Sequence, residues 1–179
     1  MSLVSKKESR SLKAYSLTEI ETHVQEIAKQ IVNFSFHRND RQDLWIGYNS
    51  SGISNRYQLR PLGADIYSGR MGLAIFFAAI GRYRICRNLV EPIANTKPPL
   101  NCGLFDGIGS LIYGFALISH IANDSFYLRA AEHYAGMIDI VFIKSQSKYD
   151  VASGLAGLLL ALIGPVSYTH LTLPTIYSV

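Results

Sequence analysis

Three aspartates stand where a short turn of small residues opens into an apolar run: Asp65 in "DIYSGRMGLAIFFAAIG", Asp106 in "GLFDGIGSLIYGFALIS" and Asp150 in "DVASGLAGLLLALIG". A carboxylate at the mouth of a helix can accept or orient a proton, provided the turn lines a cavity. The same residue can simply take the free amides of the first helical turn, as an N-cap acid does. For Asp65 and Asp106 the structural reading is preferred. For Asp150 both readings stand on the residues alone.

The other candidates for chemistry are thiols and imidazoles. Cys86 lies within "YRICRNL" and Cys102 precedes the second turn; neither belongs to a CxxC pair or has a histidine beside it. Isolated cysteines of this kind pack as small apolar side chains, so both are expected to be buried or half-buried thiols rather than zinc ligands. Two unpaired cysteines suit a reducing compartment, and the expected location is cytoplasmic. His23, His120 and His133 fall on predicted helices and His37 in a predicted loop, settings in which a solvated or satisfied ring is the common case. None is assigned a catalytic or metal-binding role.

These residues need elements to place them. "SLTEIETHVQEIAKQIVNF" carries a capping-box signature in Ser16 and Glu19, and Ile20, Val24, Ile27 and Ile31 follow at helical spacing, which predicts an amphipathic helix. From His37 to Gly63, Gly, Asn and Ser cluster around "GYNSSGISN", which predicts a long loop or short extended strands, with Trp45 anchoring the segment on the core.

The aspartate-bearing stretches repeat one another. They superimpose on Gly69, Gly107 and Gly154, and three residues later each has a small residue, Gly72, Ser110 or Gly157, before an apolar helix. The spacing of roughly 40 to 50 residues is that of helical-hairpin repeats. Glycine at the junction accepts unusual backbone angles, and a small residue one turn on lets neighbouring helices approach closely. Helices apolar nearly all round suit an inner layer buried on every side. An outer layer must cover them. "DSFYLRAAEHYAGMIDIVFI" supplies a helix capped by Asp124 or Ser125, with Leu128, Ala131, Ala135 and Ile138 as its buried stripe, and "RYRICRNLVEPIA" a shorter one. The predicted fold is all-α, with inner and outer helices alternating in a closed or open α/α array.

Composition excludes several classes. With 49% apolar and 17% charged residues the chain can bury a core and is not disordered. Its net charge of +4 owes much to "SKKESRSLK" and scattered arginines, without a basic stripe interleaved with aromatics, so no nucleic-acid partner is expected. The longest apolar runs, "GLAIFFAAIG" and "GLAGLLLALIG", are about half of what a bilayer requires, so no transmembrane segment is expected. No signal-peptide pattern opens the sequence.

"DLWIGYN", "YQLRPLGADIYSGRMGLAIFFAAIGR", "GLFDGIGSLIYGFALIS" and "YDVASGLAG", in this order, resemble the start of the LanC-like cyclase domain of class II lanthionine synthetases, the LanM type. The resemblance covers about Ser16 to Gly164. It implies a partial LanC-like α/α toroid, about three of the seven inner and outer helix pairs of the complete domain. It implies a cyclase that adds cysteine thiolates of a lanthipeptide precursor peptide to dehydroalanine or dehydrobutyrine, closing (methyl)lanthionine rings. It also implies a zinc ion in the full-length parent, held by two cysteines and a histidine of later repeats, so no metal ligand is expected in this chain. By the same resemblance Asp150 is the catalytic candidate, the third-repeat aspartate that faces the active-site cavity and helps proton transfer.

Residues 1–15 are expected to be a disordered leader or linker and 16–164 the partial cyclase domain. The remaining segment, 165–179, reads "PVSYTHLTLPTIYSV" and resembles an in-frame translation of a sequencing-library adapter. It is expected to be a non-native tail, and His170 within it carries no meaning. On these expectations the chain is a fragment, inactive by itself. Two further readings compete: a non-catalytic LanC-like module that binds a peptide or thiol, and another α/α barrel, such as a glycan-processing enzyme with Asp65 and Asp150 as paired carboxylates.

Overall fold

A computed structural model describes residues 15–37, 43–50, 57–94 and 96–169. The expected leader, apart from Tyr15, and the last part of the expected tail, including His170, lie outside the described residues. Residues 1–34 and 35–179 form two compact units.

In the first unit, α1 spans Leu17–Asn33 and begins with the capping box that the sequence predicts. The Ser16 hydroxyl accepts from the Glu19 amide at 3.2 Å, and Glu19 Oε2 accepts from the Ser16 amide at 2.8 Å. These bonds hold the Glu19 carboxyl below its ordinary range. The apolar stripe is less buried than its spacing predicts. Ala28 is fully buried, while Ile20 and Ile27 are about half exposed, at 48% and 49%.

The second unit opens with two antiparallel hairpins in the segment predicted as loop or short strands. β1 (Phe36–His37) pairs with β2 (Asp43–Leu44), and β3 (Ile46–Ser50) pairs with β4 (Tyr57–Pro61) in a register that sets Tyr48 opposite Leu59. Trp45, between the hairpins, is buried as expected, and its carbonyl accepts from the Leu62 amide at 2.9 Å.

Beyond the hairpins the described residues are helical, and the fold is all-α in its core. α2 (Arg70–Ala79), α4 (Ile108–Ala122) and α7 (Leu155–Thr169) are the three apolar helices that follow the repeated turns. α4 packs on both α2 and α7, which makes an inner row. The outer layer is α3 (Tyr83–Val90) on α2, continued by the 3-10 turn Glu91–Ile93, and α5 (Ser125–Ala135) on α4. Burying a side chain such as Phe77 or Phe115 contributes about 1.5–3 kcal/mol, so this row holds most of the apolar stabilisation.

The outer layer departs from its sequence reading in two ways. The helix predicted across "DSFYLRAAEHYAGMIDIVFI" ends at Ala135, and a separate short helix, α6 (Ile140–Ser145), starts after Asp139, whose carboxylate accepts from the Phe142 amide at 2.6 Å. The buried face of α5 is Tyr127, Ala130, Ala131 and Tyr134; of the predicted stripe Ala131 is buried, while Leu128, Ala135 and Ile138 are half-buried. Tyrosine can be buried here because its hydroxyl finds partners. Tyr134 donates to the Ile93 carbonyl, and its ring stacks on Phe115 at 6.1 Å. Asp124 is the cap of α5, accepting from the Phe126 amide at 2.8 Å. Its other oxygen takes Arg87 Nη1 at 3.3 Å, and the Arg87 guanidinium lies 3.4 Å from the Phe126 ring centroid, fastening α3 to α5.

α7, the last inner helix of the partial row, is covered on one side and open on the other. Leu158 and Ala161 are buried, while Leu159, Leu160 and Ile163 are 58%, 47% and 52% exposed. Its backbone stays helical past Gly164 through Thr169, across the point where the tail was expected to begin.

Candidate functional site

The three turns that precede the inner helices lie side by side and are joined through their backbones. The Tyr67 amide of the first turn donates to the Phe105 carbonyl of the second at 3.2 Å. The Leu104 and Phe105 amides of the second donate to the Val151 and Ala152 carbonyls of the third, each at 3.1 Å. Such contact needs bare backbone. A Cβ on Gly103 would stand 2.1 Å from the Ala152 oxygen, and one on Gly157 would stand 1.9 Å from the Val151 oxygen.

Asp150 occupies the outer turn of this set. Its carboxylate is exposed, and Oδ1 accepts from the Ser153 amide at 2.8 Å. That bond, with smaller help from other turn amides and Lys148, holds the carboxyl below its ordinary 3.8. Asp150 is therefore an ionised acceptor throughout the neutral range. Asp65 is built in the same way, with Oδ1 accepting from the Ser68 amide at 2.7 Å. The structural reading of Asp65 thus has its geometry. As paired carboxylates Asp65 and Asp150 are ill placed, because the second turn lies between their own.

Asp106 forms a link that the sequence reading did not contain. Its Oδ2 accepts from the Ser153 hydroxyl at 2.8 Å, while its Oδ1 is buried and has no partner among the described residues. The only signal in the sequence was positional: Asp106 stands immediately before its turn glycine, where Ser68 and Ser153 stand in the other repeats. Beside the third turn, Leu100 together with Asn101, Ser145, Gln146, Ser147, Lys148 and Ser153 lines a cleft of mixed polarity, of about 290 Å³.

Both cysteines are buried free thiols, as their surroundings predict. Cys86, in α3, is pushed up to about 11 by burial. Cys102 is also raised, first by burial and then by the negative charges of Asp106 and Asp150, and its Sγ lies 3.8 Å from the Ser153 carbonyl. A zinc ligand wants the opposite, a thiolate with a second donor beside it. Among the described residues no group of three or more His, Cys, Asp or Glu could hold a metal ion. The residues present do not fit a zinc site, and no chemical step is assigned to one. His23 and His133 are exposed on α1 and α5, and His120 is exposed on α4. His37 lies in β1 rather than in a loop.

Residues 60–175 match the lanthionine synthetase C-like protein family. The chain belongs to that family. The match takes in all three turns and their helices, and leaves α1 and the strands before β4 outside, where the sequence resemblance reaches back to Ser16. It also runs across Gly164, so neither the family match nor helix α7 draws a boundary there. No curated protein matches this LanC-like chain. Among the described residues no helix is long and apolar enough to cross a membrane.

Proposed function

We propose that this LanC-like chain is part of a class II lanthionine synthetase of the LanM type, from the segment that closes thioether rings in a dehydrated precursor peptide. The observation that carries the reading is the Asp150 carboxylate: exposed, ionised, fixed by one turn amide and placed beside a cleft of mixed polarity in a family known for this chemistry.

The reaction asks little of the protein beyond placement. A sulfur–carbon bond forms between the peptide thiolate and the β-carbon of a dehydroalanine or dehydrobutyrine, and the carbon–carbon π bond breaks. The thiol proton leaves sulfur and a proton arrives at the α-carbon, so no oxidant is needed and no group is lost. A carboxylate held below its ordinary range is a weak base at neutral pH. Asp150 is accordingly assigned to orienting: it accepts a hydrogen bond from the thiol, or from the water that takes its proton, and stabilises the resulting cation. Lys148 of the neighbouring cleft is suited to peptide carbonyls, while the Ser145 and Ser153 hydroxyls are already given to the Phe142 carbonyl and to Asp106.

The zinc that activates the thiol in this family is proposed to belong to the full-length parent, on residues outside this chain, and the chain alone is proposed to be inactive. The two buried free thiols support a cytoplasmic setting. Residues 165–179 are proposed to lie outside the functional segment, on the resemblance of "PVSYTHLTLPTIYSV" to a translated sequencing-library adapter.

The test is ring formation by the full-length parent on a synthetic peptide carrying one cysteine and one dehydroalanine, followed by thiol alkylation and mass spectrometry. Loss of alkylatable thiol faster than in buffer supports the cyclase. Peptide binding with no gain over the spontaneous rate assigns a non-catalytic peptide-binding module instead.

A further inference from the structure

The first and third turns each place a serine immediately before the turn glycine, and the two serines behave differently. Ser68 closes on its own aspartate: its amide donates to Asp65 Oδ1 at 2.7 Å, and its hydroxyl reaches the same carboxylate at 3.2 and 3.5 Å. The Ser153 amide makes the matching bond to Asp150 Oδ1 at 2.8 Å, but its hydroxyl turns away and donates to Asp106 Oδ2 at 2.8 Å. A serine hydroxyl has one proton to give. What Asp106 receives, Asp150 does not.

The second turn is built for this diversion. Asp106 stands at the serine's place, before Gly107, and Gly103 stands at the aspartate's place, so this turn has no aspartate–serine pair of its own. With no side chain, Gly103 lets the third turn approach until Ser153 Cα would lie 2.3 Å from a Cβ there. At that range the Ser153 hydroxyl can reach across the junction. Asp106 Oδ1 is buried without a partner among the described residues, so the Ser153 hydroxyl is the donor that fixes this carboxylate.

We propose that Asp106 is a positioning residue for Asp150: by holding the Ser153 hydroxyl it keeps the Asp150 carboxylate to its turn amide and leaves one carboxylate oxygen open at the exposed side of the turn. This rests on the reading of Asp150 as the orienting carboxylate of the cyclase. It separates two aspartates that look equivalent in sequence. Asp65 is closed by its serine, and Asp150 is kept open by a neighbour from the preceding repeat. Lys148 of the same turn acts on Asp150, and Asp150 and Asp106 both act on the Cys102 thiol of the second turn.

The test is a carbon-13 carboxylate titration of Asp150 in the chain, run as a double-mutant cycle of Asp106→Ala and Ser153→Ala. Removing Asp106 deletes a negative charge and frees the Ser153 hydroxyl to fold back on Asp150, and both effects lower the Asp150 pKa. In the Ser153→Ala background only the charge effect remains. The expected drop is larger with the serine present, by about 0.3 or more, and Asp106→Asn, which keeps an acceptor oxygen, gives only the smaller drop. Equal drops in both backgrounds overturn the proposal. Should Asp106→Ala fail to fold, Ser153→Ala alone decides, because the hydroxyl is not on Asp150: an unmoved titration supports the proposal and a rise of about 0.3 or more overturns it. The cycle reads the Asp150 proton whether or not ring closure depends on it, so its failure is distinct from failure of the cyclase reading.

Discussion

Gly103 lies directly beneath Ala152: a Cβ on the glycine would come within 2.1 Å of the Ala152 carbonyl oxygen. The atoms it would strike are backbone, fixed by the hydrogen bonds from Leu104 and Phe105 to Val151 and Ala152. No rotamer change can relieve such a clash, and the turns must part.

Gly103→Ala is therefore expected to destabilise the chain by about 1–3 kcal/mol, the usual range for overpacking a well-fitted site. Urea unfolding followed by circular dichroism measures it. A change below about 0.5 kcal/mol contradicts the close approach of the second and third turns.

Tyr134→Phe tests how the outer layer is held. The lost hydroxyl takes one donor from the Ile93 carbonyl, which keeps the Thr96 amide at 3.2 Å and the Thr96 hydroxyl at 3.1 Å, and also removes a contact with Thr96, while the ring keeps its stacking on Phe115. Losing one hydrogen bond from an acceptor that stays paired costs about 0.5–1.5 kcal/mol. The expected result is that loss of stability with an unchanged far-ultraviolet spectrum.

The thiol of Cys86 gives a prediction in pH. Its folded value is raised by burial from 9.0 to about 11. In alkali the unfolded chain therefore releases this proton first. Stability from the buried thiol is full below pH 9.0 and declines as pH rises toward about 11. Unfolding curves at pH 8 and pH 10 should show that decline, and Cys86→Ala should flatten it. At pH 8 iodoacetamide should label neither Cys86 nor Cys102 in the folded chain and both in urea, since a buried protonated thiol is a poor nucleophile.

Local signals were legible in the sequence where local chemistry decides the outcome. The Ser16–Glu19 box starts α1 as its residue types require, and the glycine turns at Gly69, Gly107 and Gly154 precede three apolar helices. Burial was harder to read. Tyr127 and Tyr134 are core residues because Tyr134 finds carbonyls on the preceding turn and Tyr127 lies against Cys86, partners that helical spacing cannot display. Gly136 to Asp139 breaks what reads as one helix, since the Asp139 cap offers a new start that competes with continuation. For the site, the aspartates could be found but not told apart. What distinguishes Asp150 from Asp65 is a hydroxyl given to Asp106 from 47 residues away, a contact that exists only once the turns are side by side.

The third turn is proposed to supply the carboxylate that orients the thiol addition. The most direct measurement is the ring-closure rate of the full-length parent carrying Asp150→Asn, set beside the same protein carrying Asp65→Asn, on a peptide with one cysteine and one dehydroalanine. A fall of about a hundredfold is expected for Asp150→Asn, the scale for losing correct placement of the reacting groups, and less than about threefold for Asp65→Asn. Equal rates for both variants and the unaltered protein, with both folded, would contradict it.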